Sequence, residues 1–275
     1  MMRQRSGRPS DLSTVTFLSS DQALVEGFAW AKAQALTYVF TGDPVGDWYE
    51  AALPGRQAFC MRDVAHQSTG AQVLGLGHIT RNMLRRFAAS ISDTRDWCAY
   101  WEIDRRGYPC AADYRDDSHF WYCLPANFDV MDCCWRQYLW TGDRAYLDDP
   151  AFRYFYTKSA HEYVHRWDQD GDGLMEHRPA YGSRGIASYN EEVPHPLVAG
   201  DQVAAQYAGY LAFANFAEQD GNDLMAASAR ARAAPGSTGR CNSGTSMFCS
   251  TVSVRNTRVF WNVLEIGRAS CRERV

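Results

Sequence analysis

The sequence predicts an all-α chain of repeated helical hairpins, arranged as an array or toroid. Three observations carry this reading. Apolar residues recur at helical spacing in five separate stretches. Runs rich in β-branched residues are nearly absent. A helix-stop signature, Tyr38-Val39-Phe40-Thr41-Gly42-Asp43, returns as Tyr138-Leu139-Trp140-Thr141-Gly142-Asp143.

The five stretches are spread along the chain. Leu24, Phe28, Ala31, Ala35, Tyr38 and Val39 share one helical stripe. Met83, Leu84, Phe87, Ala88 and Ile91 make the second, and Phe128, Met131, Trp135, Tyr138 and Leu139 the third. Phe152, Phe155, Tyr156, Tyr163, Val164 and Trp167 form the fourth, and Val203, Tyr207, Tyr210, Leu211 and Ala214 the fifth. Glycine suits the left-handed position just past a helix, and aspartate suits the turn or cap after it. Asp220-Gly221-Asn222 repeats that punctuation. The segments 92–126 and 168–198 read as long loops rich in Trp, Tyr, Asp, Glu and Gly, where function usually sits on a helical scaffold.

Composition narrows the function classes. The chain has 275 residues and a formal net charge of −4, with no basic run, which speaks against nucleic-acid binding. No apolar run of about 18 residues occurs, so no membrane span is predicted. Nine Trp and fifteen Tyr suit a sugar-binding cleft, but cores use such rings too. The nine cysteines form no Cys-x-x-Cys pair, and buried free thiols are the favoured reading over metal ligands or disulfides. Localisation stays open: periplasmic or secreted if a signal peptide precedes these residues, cytoplasmic otherwise.

The densest chemistry lies in Arg62, Asp63, His66 and Gln67. On a helix Arg62 and His66 are four apart, as are Asp63 and Gln67, so a cation, a carboxylate, an imidazole and an amide share one edge. Such an edge can grip a polyhydroxylated ligand or pin a helix end as an ion pair.

Longer strings around this cluster resemble a known family. They are Ala51 to Arg56, Phe59 to Gln67, Tyr100 to Asp104, Phe120 to Tyr122, Leu124 to Asp129, Trp140 to Asp143, Trp167 to Glu176 and Arg184 to Glu192. Over about residues 14–230 the chain resembles the six-hairpin glycosidases, in particular an uncharacterised bacterial, glucoamylase-like branch. The resemblance implies a partial (α/α)6 toroid of helical hairpins, incomplete at the C-terminus, because the later hairpins are not legible. It implies a glycoside hydrolase acting on an oligosaccharide or polysaccharide, with Arg62 and Asp63 holding sugar hydroxyls.

Glycoside hydrolysis normally uses two carboxyl groups, about 6.5–9.5 Å apart in inverting enzymes. Glu176 and the pair Glu191/Glu192 are equally good candidates for a general acid. His66, Gln67, Trp101, Glu102, Trp121 and Tyr122 are candidates for substrate contact, the aromatic rings as stacking platforms. A sugar isomerase or epimerase, or a non-catalytic carbohydrate-binding fragment, are the alternatives. No cofactor is required, but Asp168, Asp170 and Asp172 resemble the start of a calcium loop. An EF-hand places Glu twelfth; here that position is Pro179, and Glu176 stands ninth.

Four segments are expected. Residues 1–13 read as a disordered or fragmentary N-terminus, and 14–233 as the catalytic domain. From Leu224 to Leu264 there is no Asp or Glu, and Ser, Thr, Gly and Cys dominate after Pro235, so 234–264 reads as frameshifted or irregular. Glu265 to Val275 resembles the in-frame translation of a DNA-sequencing adaptor.

Overall fold

The first helix stops short of its apolar stripe. In the computed structural model, which describes residues 13–51 and 55–233, α1 spans Gln22–Leu36. Val39–Asp43 then forms β1, paired antiparallel with β2, Gly46–Tyr49. Val39 faces Tyr49 and Phe40 faces Trp48, whose rings stack with centroids 4.5 Å apart. Aromatic and β-branched residues either side of a tight turn suit a hairpin. Trp48 Nε1 donates to Asp43 Oδ2 at 3.0 Å and locks the turn.

Among the described residues this hairpin is the first of four separate two-stranded sheets, so the fold is mixed α/β. The all-α toroid and the six-hairpin barrel are both overturned, since strands alternate with helices along the chain. Half of the eight strands among the described residues lie in the long segment 92–126. β3 (Ala58–Cys60) pairs antiparallel with β4 (Glu102–Asp104), and β5 (Tyr114–Asp116) with β6 (His119–Phe120). β7 (Tyr122–Cys123) pairs in parallel with β8 (Arg184–Ile186), from the second long segment. Strands of two to five residues are too short to show a period-2 pattern, which is why they read as loop.

Helices form the rest: α2 (Met61–Val73), α3 (Gly77–Ser90), α4 (Ala126–Thr141), α5 (Ala145–Asp148), α6 (Pro150–Lys158), α7 (Val164–Trp167), α8 (Gly200–Gln219) and α9 (Asp223–Ala233). A π-helical turn at Ser159–Tyr163 joins α6 to α7. The second copy of the stop signature behaves as expected. α4 ends at Thr141, Gly142 is left-handed at φ 66°, and its N–H donates to the Tyr138 carbonyl.

α4 is the central helix, packed against α2 on one side and α8 on another. Phe128, Val130, Met131, Cys133 and Cys134 on it are fully buried. Its contact with α8 depends on Gly209, where an added Cβ would come within 2.2 Å of the Phe128 ring. α1 is the opposite case: only Leu36 is buried, and Leu24 and Trp30 are exposed.

Cys60, Cys98, Cys110, Cys123, Cys133 and Cys134 are free thiols. Cys241, Cys249 and Cys271 lie outside the described residues, as do residues 1–12 and the two expected C-terminal segments, 234–264 and 265–275. Among the described residues, no helix is long and apolar enough to cross a membrane.

Candidate functional site

The β3–β4 ladder delivers Arg62 to its neighbours. β3 runs directly into α2, Cys60 lies opposite Glu102, and the Met61 N–H donates to the Trp101 carbonyl at 3.0 Å. Arg62 therefore emerges beside Trp101, its guanidinium carbon 5.3 Å from that ring. The other side is closed by Tyr189, whose ring centre is 5.7 Å away. Arg62 Nη1 donates to the Tyr189 carbonyl at 3.3 Å, and Nη2 pairs with Glu191 Oε1 at 3.0 Å.

Tyr189 and Glu191 come from the segment after β8, and Asp201 in the first turn of α8 holds it. Asp201 Oδ2 accepts from Ser188 Oγ at 2.9 Å and from the Tyr189 N–H at 2.6 Å. The Asn190 N–H donates to Ser188 Oγ, and Cys123 Sγ donates to the Ser188 carbonyl. An irregular segment thus gains a defined shape from one carboxylate and one serine.

Tyr189 then reaches into the protein. Its hydroxyl donates to Asp129 Oδ1 at 2.6 Å, while Asp129 Oδ2 is buried without a hydrogen-bond partner. Burial raises the Asp129 carboxyl above its ordinary range, and nearby His66 and the Tyr189 hydroxyl offset only part of that shift. His66, one turn along α2 from Arg62, meets the Tyr189 ring edge-on with centroids 5.8 Å apart. The helical spacing of Arg62 and His66 is thus realised against one partner.

The remaining candidates are more scattered. Asp63 sits half-buried in the first turn of α2, where a negative charge opposes the helix dipole favourably. Gln67 and Glu192 are exposed. Trp101 and Trp121 pack together with centroids 4.2 Å apart, and both line a cavity of about 10 Å3, room for roughly one water molecule. Tyr122 is fully buried, and its hydroxyl donates to Asn127 Oδ1 at 2.6 Å.

Glu176 belongs to a different loop, closed at its base by the Glu176 N–H donating to the Trp167 carbonyl at 2.9 Å. One donor oxygen each from Asp168, Asp170, Asp172 and Glu176 lies within 4.8 Å of the others. An all-oxygen set suits a hard cation such as calcium. Both Asp168 oxygens, however, accept backbone amides, of Gly171 at 2.7 Å and Gly173 at 2.9 Å, and Asp170 and Asp172 each cap the residue two further on. Glu176 Oε2 accepts the Gln169 N–H at 2.5 Å. The loop satisfies itself through its own backbone. Burial, reinforced by the three aspartates against the Gln169 hydrogen bond, pushes Glu176 up to about 7.

Sequence reasoning passes over Asp129, Tyr189 and Asp201 as site residues. A signal for Asp129 is present: an ionisable residue amid Phe128, Val130 and Met131 on an apolar helix. Tyr189 and Asp201 carry no such signal, because their roles depend on how the segment returns to α2 and α4.

No protein-family model matches this sequence, and no curated protein or solved structure matches it either.

Proposed function

We propose that the chain is a glycoside hydrolase whose chemistry lies around Tyr189. The observation that carries this reading is the pair of unlike carboxyl groups that Tyr189 connects. Asp129 is buried and raised, touching the Tyr189 hydroxyl; Glu191 is half-exposed and paired with Arg62, which also binds the Tyr189 carbonyl. Unlike surroundings of this kind support a division of acid and base roles between two carboxyl groups.

In this reading Asp129 gives its proton to the glycosidic oxygen as the bond to the anomeric carbon breaks. A water attacks that carbon, and Glu191 takes the proton the water loses. Arg62 donates to sugar hydroxyls, and the part-exposed ring of Tyr189 beside it supplies apolar surface that a sugar ring's C–H groups prefer, while buried Trp101 backs the guanidinium. Glu176 and Glu192 take no part.

A second reading, sugar isomerisation or epimerisation, draws support from His66, which stands near Asp129 and could form an acid–base couple with it. Incubation with a panel of oligosaccharides and free monosaccharides, then chromatography, separates the two. New reducing ends, reduced at least about 100-fold in Glu191→Gln, are expected for hydrolysis. Interconversion of a monosaccharide without cleavage overturns it.

A further inference from the structure

Glu102, Cys110 and Asp113 form a second cluster, built on backbone hydrogen bonds. The Cys110 N–H donates to the Glu102 carbonyl at 3.0 Å, and the Asp113 N–H to the Cys110 carbonyl at 3.1 Å. The tight turn from 110 to 113 is thus held against β4, and its side chains converge. One carboxylate oxygen from Glu102, one from Asp113 and the Cys110 sulfur lie within 4.8 Å of one another. The same three residues line the small cavity beside Trp101 and Trp121.

Two features leave this cluster short of positive charge. Glu102 is 5% exposed, and its Oε2 is buried with no hydrogen-bond partner. An unpaired carboxylate oxygen at that depth is costly unless something positive meets it. Arg56 meets only part of the charge: its Nη1 lies 2.6 Å from Glu102 Oε1 and 2.8 Å from Asp113 Oδ2. Two carboxylates and a thiolate carry three negative charges when ionised. Arg56 cancels one, and a divalent ion would cancel the rest.

We propose that Glu102, Cys110 and Asp113 bind one divalent transition-metal ion of the zinc class. The donor set selects that class, because thiolate is soft and disfavours calcium and magnesium. Metal–donor bonds of about 2.0–2.3 Å place neighbouring donors of a tetrahedral ion within the span found here. Arg56 orients both carboxylates from outside, the role that outer-sphere partners play around metals. The cavity beside the cluster leaves room for about one water molecule as a fourth ligand.

The test is titration of the metal-free chain with Co2+ alone. The expected result is one equivalent bound, with a thiolate-to-cobalt charge-transfer band in the near ultraviolet that Zn2+ abolishes on displacement. Cys110→Ser should lose the band, and Asp113→Asn should keep it while binding at least about ten-fold more weakly. Circular dichroism of both variants checks that each is folded, and two independent substitutions keep the test decisive if one is not. Absence of the band in the folded wild-type chain overturns the proposal. So does a band that persists unchanged in Cys110→Ser.

Discussion

Arg62 and Arg56 stand near opposite ends of the same short strand, β3, yet their surroundings differ. Arg56 bridges two carboxylates, Glu102 and Asp113, in a narrow space with the Cys110 thiol beside them. Arg62 has a single, half-exposed carboxylate partner and lies between two aromatic rings. The first arrangement concentrates negative charge beyond what one guanidinium offsets, and it suits a cation. The second offers donors and apolar faces together, and it suits a neutral ligand that carries many hydroxyls. An arginine near a carboxylate therefore says little by itself; the balance of charge and ring surface around it decides the ligand class.

Crossing the two arginines gives the largest separation between the sites. Arg62→Ala should lower kcat/KM for a cleaved oligosaccharide by about 100-fold and leave cobalt affinity unchanged. Arg56→Gln should weaken cobalt binding by about 10- to 100-fold. Equal effects of either substitution on both readouts would merge the two sites into one.

The next effect is structural. Gly209→Ala drives a methyl group into the Phe128 ring and should cost about 1–3 kcal/mol in urea unfolding. It also separates α8 from α4, and with them Asp201 from Asp129, the two anchors of Tyr189. Hydrolysis should fall before the fold is lost, while cobalt binding on β4 persists.

A smaller effect distinguishes a guanidinium from a simple charge. Arg62→Lys keeps the cation but loses the planar fork that meets the Tyr189 carbonyl and Glu191 together. KM should rise about ten-fold, equivalent to roughly 1.4 kcal/mol, with kcat less affected.

The smallest concerns Glu176, outside both clusters. Its folded pKa, about 7, lies above its ordinary value of 4.5, so the folded state holds this proton more tightly than the unfolded state. The resulting stability is complete below about pH 4.5 and is lost as pH rises through about 7. Glu176→Gln cannot ionise, so its Tm relative to wild type should climb across that window. A flat difference would show that Glu176 is not the group that titrates there.

How much of this is legible in the sequence is clearest in the repeated stop signature. Tyr138 to Asp143 ends a helix as its letters suggest, but in the first copy Val39 to Asp43 becomes a strand, because Trp48 and Tyr49 lie close enough to pair back on it. The same local signal is decided by the residues downstream of it. The helices show clearly because their apolar period extends over several turns, whereas strands as short as Tyr122–Cys123 show no period at all. Within the site, Arg62 and His66 can be placed together because helical spacing is local. The partnership of Arg62 with Glu191, 129 residues further on, is set by β8 and Asp201 and has no local signature. Trp101 and Trp121 are legible as a pair of rings, but not as rings packed on each other around a space the size of a water molecule.

Whether the group joined to Arg62 through Tyr189 cleaves glycosidic bonds is decided by the rate of reducing-end release by wild type and Asp129→Asn. An oligosaccharide panel of mixed linkage is the substrate. Asparagine preserves the shape and still accepts from the Tyr189 hydroxyl, but it has no acidic proton to give. Wild type should cleave at least one panel member, and the folded variant should be slower by at least about 100-fold. Equal rates in the two chains, or no cleavage of any member by wild type, would contradict a glycosidase centred on Tyr189.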